Sequence, residues 1–346
     1  ALNTASLPTP TIADGSDYFQ AKTYTGNGGT QSITTTGMSP DWVWTKRRNL
    51  AASHNLYDIV RGATKFLGSD TNNAEQAGSD RLTSFDSTGF SLGSNAEVNN
   101  NNDTYIAWCW DAGSSTVSNT DGSITSQVRA NQSAGFSIVS FTASGTAGSD
   151  SCGHGLNAVP GLVMMKARDA TDDWYVWHQD FSNLQRNYIS LNSTAAVTLS
   201  SNDSWGAGMT SSVIGFRSQG TAQGSMIAYC FAPVAGYSAF GSYEGNGSSD
   251  GPFVYLGFKP SWIIIKNSSA TENWYILDTT RDEFNVSGTQ LKANTSDAED
   301  SFSLLDLLSS GFKIRNSNAS YNTNGSTYVW GAFAENPFQA NGGLAR

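Results

Sequence analysis

The chain has 346 residues, of which 14% are Asp, Glu, Lys or Arg and 12% are aromatic, with 35 Gly and 10 Trp. That balance excludes a disordered chain, which shows high charge and few aromatics, and the length points to two or three domains. The net charge of −10 repels a phosphate backbone, so no nucleic-acid partner is expected. The longest apolar run, around Trp262 to Ile265, is far too short to cross a bilayer, so no membrane insertion is expected.

The N-terminal ALNTASLPTP lacks the basic start and apolar segment of a signal peptide, and the opening Ala1 reads as processing or trimming. The first strand-like pattern ends in a turn, Tyr24-Thr25-Gly26-Asn27-Gly28. Pro40 then opens an apolar strand that ends in Lys46, and a short strand Leu56-Tyr57 ends in Asp58. A Gly-Phe pair, Gly89-Phe90, precedes a closing strand Tyr105-Ile106-Ala107-Trp108-Cys109-Trp110. The polar, turn-rich stretch 114–134 follows and reads as a linker that also supplies a strand through Ile124 and Val128.

The same order then recurs. The second pass runs Phe141 to Gly145, Pro160 to Lys166, Trp174 to His178, Gly215-Phe216 and Met226-Ile227-Ala228-Tyr229-Cys230-Phe231. The third runs Tyr243 to Gly247, Pro260 to Lys266, Trp274 to Asp278, Gly311-Phe312 and Tyr328-Val329-Trp330-Gly331-Ala332-Phe333. An internal repeat of this kind decides the architecture before any single motif does. Each unit has the usual size of one β-sandwich. The expected fold is all-β, with three tandem β-sandwich repeats of jelly-roll or lectin-like type: 1–113, 114–237 (linker strand plus repeat) and 238–338, with a tail at 339–346. The closing strands are apolar on both faces, so they belong in the middle of their sheets. One helix is expected, over 297–309, where Ala298, Phe302, Leu305 and Leu308 recur at helical spacing.

The search for chemistry returns structural readings. His54 and His154 lie in polar loops, and His178 stands where the other copies have Asp58 and Asp278, so a hydrogen-bonding strand end is expected. Cys109 and Cys230 share a position with Ala332, which suits small core residues; Cys152 reads as a loop cysteine, with a Cys152/His154 pair as the reactive alternative. Three cysteines without a C-x-x-C spacing form neither a disulfide framework nor a zinc site. Asp58-x-x-Arg61 and Asp278-x-x-Arg281 read as strand-end salt bridges. Lys46, Lys166 and Lys266 are expected to pair with the Asp or His twelve residues on. Asp282-Glu283 are adjacent and would point to opposite faces of a strand. The run Val98-Asn99-Asn100-Asn101-Asn102-Asp103 reads as a polar turn, with Ca²⁺ as the alternative. Trp205 stands in a loop where an indole could stack on a sugar. No catalytic residue, cofactor site or metal site is expected, and the chain reads as a non-enzyme.

Asp14-Gly15-Ser16-Asp17-Tyr18-Phe19, Tyr24-Thr25-Gly26-Asn27-Gly28, Leu56-Tyr57-Asp58-x-x-Arg61-Gly62 and Phe333-Ala334-Glu335-Asn336-Pro337-Phe338 resemble a repeat-bearing virion structural protein family of marine tailed phages. The resemblance runs over nearly the whole chain and rests on framework residues. It implies a tail or fibre component, a head decoration or a host adhesin, assembled in the host cytoplasm and exposed on the virion, with other virion proteins as partners. A homo-oligomer follows by analogy, with a trimer expected. The alternative is a lectin-like carbohydrate-binding module that recognises host-surface glycans. The second unit lacks the Asp-x-x-Arg pair and the Asn-Gly turn, so a site built from those belongs to units one and three only.

Overall fold

The computed structural model describes residues 12–206 and 208–334; Glu335, Asn336, Pro337 and Phe338, and the expected tail 339–346, lie outside them. Strand accounts for 45% of the chain and helix for 3%, so the protein is all-β. Three sheets share one strand order. The first places Phe19–Thr25, Thr104–Trp110, Trp42–Arg47 and Asn55–Asp58 side by side. The second contains Phe136–Thr142, Ser225–Phe231, Leu162–Ala167 and Tyr175–His178 in that order, and the third Ser238–Glu244, Thr327–Phe333, Trp262–Asn267 and Trp274–Asp278. All neighbours are antiparallel and the registers correspond: Trp42 faces Trp110, Leu162 faces Phe231 and Trp262 faces Phe333. Each closing strand has a partner on both sides.

The two-faced apolar pattern of those strands has a direct cause. Ile106, Trp108 and Trp110 point into one core, while Ala107 and Cys109 point into another. The second core is covered by a smaller sheet, as in a β-sandwich. In the first segment the cover is Gln31–Thr34, Gly89–Leu92 and Leu82–Asp86, and in the second Gly148–Gly153 and Val213–Ser218; in the third it is Phe253–Tyr255, Gly311–Ile314 and Asp300–Leu308, which continue the same eight-stranded sheet as the main strands through Ser287–Lys292. The inner faces of all three main sheets meet in a single cluster that holds Trp42, Trp108 and Trp110, Phe136, Tyr229 and Phe231, and Trp262, Ile264 and Phe333. At its centre the rings of Trp110, Phe231 and Phe333 are mutual neighbours, with centroids 6.4, 5.7 and 5.8 Å apart.

The segments also interlock through backbone hydrogen bonds that run in one cyclic sense. Glu75 N–H donates to Arg168 O (2.7 Å), Val197 N–H to Ser268 O (2.9 Å) and Glu299 N–H to Arg48 O (2.7 Å). A second set runs the other way: Asp172 to Asn72 O, Glu272 to Thr194 O and Ala52 to Ser296 O, each 2.9 Å. The third segment therefore grips the first without any covalent joint between them.

The expected helix needs correction. Residues 297–309 form no helix: Asp300–Leu308 is a strand that pairs with Gly311–Ile314 through the two-residue turn Ser309-Ser310, and with Ser287–Lys292. Leu305 and Leu307 alternate inward and Phe302 points out, so cross-strand partners decide what an ambiguous periodicity left open. The described helices are single turns, Ala96–Asn99 and Ala319–Asn322, capped by Asn95 and Asn318. The stretch 114–134 supplies strand to the second sheet as expected, in two pieces, Thr116–Asn119 and Ser126–Asn131, the latter holding Val128, while Ile124 makes only an isolated bridge to Cys152.

The asparagine run has a structural task. Asn99 is fully buried and its Nδ2 donates to Gly29 O (2.7 Å), Gly93 O (2.8 Å) and Asn27 Oδ1 (3.1 Å). Asn322 does the same with Ser248 O, Asn316 O and Asn246 Oδ1. The turn it pins must be glycine at Gly26, because a Cβ there would lie 2.1 Å from Asn100 O.

Because the inner cores are one, calorimetry is expected to record a single unfolding transition for the whole chain, not three. Phe333→Ala, which empties the centre of the cluster, is expected to lower stability by about 3–5 kcal/mol in chemical denaturation.

Candidate functional site

The sequence's most suggestive polar motifs sit on the seams between segments. Asp58 and Arg61 form the expected ion pair, both side chains fully buried. The pair reaches across to the second segment: Tyr229 Oη donates to Asp58 Oδ2 (2.8 Å) and Arg61 Nη2 donates to Tyr229 Oη (3.1 Å). Asp278 and Arg281 repeat this against the first segment, where Trp108 Nε1 donates to Asp278 Oδ2 (2.9 Å) and the guanidinium lies 5.5 Å from the Trp108 ring centroid. A carboxylate completes each clamp. Glu75 accepts from Arg168 Nε and Nη2 (2.8 and 3.0 Å) and faces Arg61; Glu299 accepts from Arg48 Nε and Nη2 (both 2.9 Å) and from Arg281 Nη1 (3.1 Å). Burial pushes the Glu75 carboxyl up, but Arg168 and Arg61 outweigh it and hold it below its usual range.

The remaining seam is built differently. His178 replaces the Asp, and its Nε2 faces Trp330 O (3.1 Å) while its Nδ1 accepts from Asp180 N–H (3.2 Å). Nε2 therefore carries the proton, and burial lowers the imidazole from 6.5 to about 4. Opposite it stands Gly331, at the position of Trp108 and Tyr229, with Phe240 filling the space: a Cβ on Gly331 would lie 3.0 Å from that ring.

The other two histidines lie in loops, as expected, and both are buried, which lowers both imidazoles. His54 Nδ1 accepts from Trp44 Nε1 (2.8 Å) and its Nε2 faces Lys292 O (3.0 Å) across the seam. Trp174 Nε1 donates to Gly68 O (2.8 Å) and Trp274 Nε1 to Ser190 O (3.1 Å) in the same manner, so His54 takes the place of a tryptophan. The signal was available: each of the three lies eight residues beyond the recurring lysine. His154 has both nitrogens engaged, by Thr210 O (3.1 Å) and Leu156 N–H (3.2 Å). That removes the reactive pair with Cys152, which is buried within the strand Gly148–Gly153 and whose thiol burial pushes up. Cys109, Cys230 and their equivalent Ala332 are each buried in the outer core of their own segment, and burial pushes both thiols up to about 12.

The recurring lysines do not pair with the Asp or His twelve residues on, because Arg61 and Arg281 occupy those carboxylates. Each buried ammonium donates to the next residue's carbonyl, Arg47 O (2.8 Å), Ala167 O (2.9 Å) and Asn267 O (2.7 Å), and burial lowers each to about 8. Trp205 is also corrected: it is 1% exposed and donates to Asn187 O (2.8 Å), so it cannot stack on a ligand. Asp282 lies outside any strand and accepts from Gly288 and Thr289 N–H (2.7 and 3.1 Å).

One solvent-open feature of the first segment was not foreseen. A cleft of about 210 Å³ opens between the outer sheet and the loop 67–77. Its walls include Phe66, Thr71, Asn73, Gln76, Arg81 and Glu97. Arg81 lies 4.2 Å from the Phe66 ring centroid, donates to Asn55 Oδ1 (2.7 Å) and pairs with Glu97. The neighbouring Glu75 points the other way, into the seam, so one loop both grips the second segment and lines the cleft. Among the described residues no three or more His, Cys, Asp or Glu side chains gather as a metal would need, and no helix is long and apolar enough to cross a membrane.

Two measurements probe the seams. Asp58→Ala strands the fully buried Arg61 and is expected to cost about 3–5 kcal/mol in urea denaturation. For His178 the folded state refuses a proton that the unfolded state accepts, so its contribution is present above pH 6.5 and is lost as pH falls toward about 4. Burial raises the Asp41 carboxyl to about 6, which works in the opposite direction over the same window. The comparison must therefore be made against a variant: His178→Gln is expected to lose less stability than the wild type between pH 6.5 and 4.

No curated protein matches the chain. One family profile spans residues 14–337, running through all three sheets as a single unit. The chain thus belongs to the family described as a domain of unknown function, DUF7483.

Proposed function

We propose that the chain is three tandem β-sandwich units closed into one pseudo-threefold body, and that this body is a structural, non-catalytic protein of a tailed-phage virion, exposed on the particle as a tail, fibre or head-decoration component. The observation that carries the reading is the cyclic seam. The same backbone hydrogen bonds occur at all three joints, including the one between the third and first segments that no peptide links. A body locked on itself in this way leaves few loose backbone groups for proteases, which suits a protein that outlives the cell that made it. Its pseudo-threefold form matches the symmetric positions of a particle. The motifs shared with repeat-bearing proteins of marine tailed phages supply the setting, by analogy.

Assembly fits the same picture. Among the described residues the large exposed aromatic side chains, Phe253, Tyr255, Phe284 and Phe302, lie in the third segment, while exposed aliphatic ones such as Leu50 and Leu199 lie in the other two; the aromatic group is free to contact other virion proteins or further copies in a homo-oligomer, a trimer by analogy with fibres. A second reading, a lectin-like module for host glycans, is favoured by the polar cleft of the first segment and is compatible with the first.

Mass spectrometry of purified particles from a lysate producing this protein is expected to detect the chain in stoichiometric amount, with light scattering of the isolated protein giving an oligomer. Absence from the particles together with a strict monomer would contradict the structural reading.

A further inference from the structure

The three segments serve as internal controls for one another at the cleft of the first. Asn55 faces Thr45 across the sheet, as Tyr175 faces Met165 and Tyr275 faces Ile265. Phe66 precedes the residue opposite Leu56, as Tyr188 and Gln290 precede the residues opposite Val176 and Ile276. In the second segment the rings of Tyr175 and Tyr188 pack together, 5.2 Å apart. In the third, Tyr275 packs on Tyr321 at 5.0 Å and the Tyr321 hydroxyl donates to Gln290 Oε1 (2.6 Å). Arg81 likewise stands where the third segment has the buried Leu304: Gly93 N–H donates to Arg81 O as Arg315 N–H donates to Leu304 O. The first segment has therefore exchanged a tyrosine for Asn55 and a core leucine for Arg81. In a fold that packs rings at these positions elsewhere, Arg81 here lines a polar cleft of about 210 Å³ and donates to the buried Asn55 (2.7 Å).

The chemistry of the walls narrows the occupant. Arg81 offers N–H donors, Glu97 offers carboxylate acceptors, Asn73 and Gln76 offer both, and Thr71 adds a hydroxyl. A free anion would meet Glu97 and a free cation would meet Arg81. A zwitterion would have to break the Arg81–Glu97 pair. A neutral polyol needs none of this, because each hydroxyl donates and accepts. The volume lies below the roughly 300–1,000 Å³ that drug-sized ligands occupy, which fits one ring. We propose that this cleft binds a single neutral sugar ring, a proposal that rests on the glycan-binding reading above and assigns it a place.

The test uses saturation-transfer difference NMR of the full chain with a panel of free neutral hexoses and N-acetylhexosamines. Asn55→Tyr refills the cleft with the side chain that the other two segments carry, so the fold is expected to survive. The expected result is transfer to at least one sugar in the wild type and affinity weakened at least tenfold in N55Y, with the melting temperature retained. Gln76→Ala, at an exposed position, is expected to weaken binding too and carries the test if N55Y does not fold. Leu199→Ala, at an exposed position of the second segment, is expected to leave sugar binding unchanged. Binding that N55Y and Q76A both leave unchanged would keep the glycan reading and overturn the cleft. No transfer to any sugar of the panel would overturn the proposal.

Discussion

The rings of Trp110, Phe231 and Phe333 occupy one equivalent position in three sheets, and each touches the other two. A position that meets itself three times can be filled only if the three sheets approach one another at fixed distance and angle. Every other inward residue then inherits a defined neighbour from the next segment. The hydrophobic gain is large because the surrounding tryptophans are almost wholly buried, and it is shared, since none of the three sheets can cover its inner face alone. The seams follow from this arrangement. Once the sheets are held about a common centre, their strand ends are brought together, and the backbone groups there must find partners.

Sharing a centre does not require identical segments, and the departures compensate in pairs. Across the sheet, Ala21 faces Trp108, Ile138 faces Tyr229 and Phe240 faces Gly331, so where the closing strand loses its ring the neighbouring strand supplies one. Polarity is compensated similarly. Where the centre offers an indole or phenol donor, the facing strand end carries Asp58 or Asp278 with its arginine. Where it offers only Gly331 and the Trp330 carbonyl, the facing residue is His178, a neutral donor, and Phe181 replaces the arginine. The outer carboxylate disappears in the same place: Val197 and Ser268 stand where the charged seams have Glu75 with Arg168 and Glu299 with Arg48. At the His178 joint the arginine and the carboxylate are lost together, so neither is left buried without the other.

Local patterns made much of this legible in the sequence. The Pro-to-Lys strands, the closing strands and the glycine turns repeat because each obeys rules that act within a few residues. Asp58-x-x-Arg61 was readable as an ion pair for the same reason. Its reach to Tyr229 was not, because the partners are 171 residues apart, and the Arg48–Glu299 contact spans 251. The lysine pairing failed because a closer arginine takes the carboxylate. Trp205 was misplaced because its polar neighbours suggested exposure, and the burial of the loop residues His54 and His154 was not legible; each of the three rings sits where a carbonyl can accept its proton. The stretch 297–309 fits a helical and an alternating pattern equally well, and only Ile314 and Phe312 across the hairpin decide between them. The cleft was hidden for a different reason: it arises from what Asn55 and Arg81 replace, which appears only when the three segments are aligned by register.

The central claim is that the segments form one closed body and do not open separately. Amide hydrogen exchange at the seams tests it most directly. The N–H groups of Glu75, Val197 and Glu299 each bond to a carbonyl of a different segment, so they exchange only when a joint opens. The account predicts that all three, including the uncharged Val197 joint, exchange with the free energy of global unfolding. Exchange at any one of them at a markedly lower free energy, with the main sheets still protected, would mean that a segment swings free and would contradict the closed body.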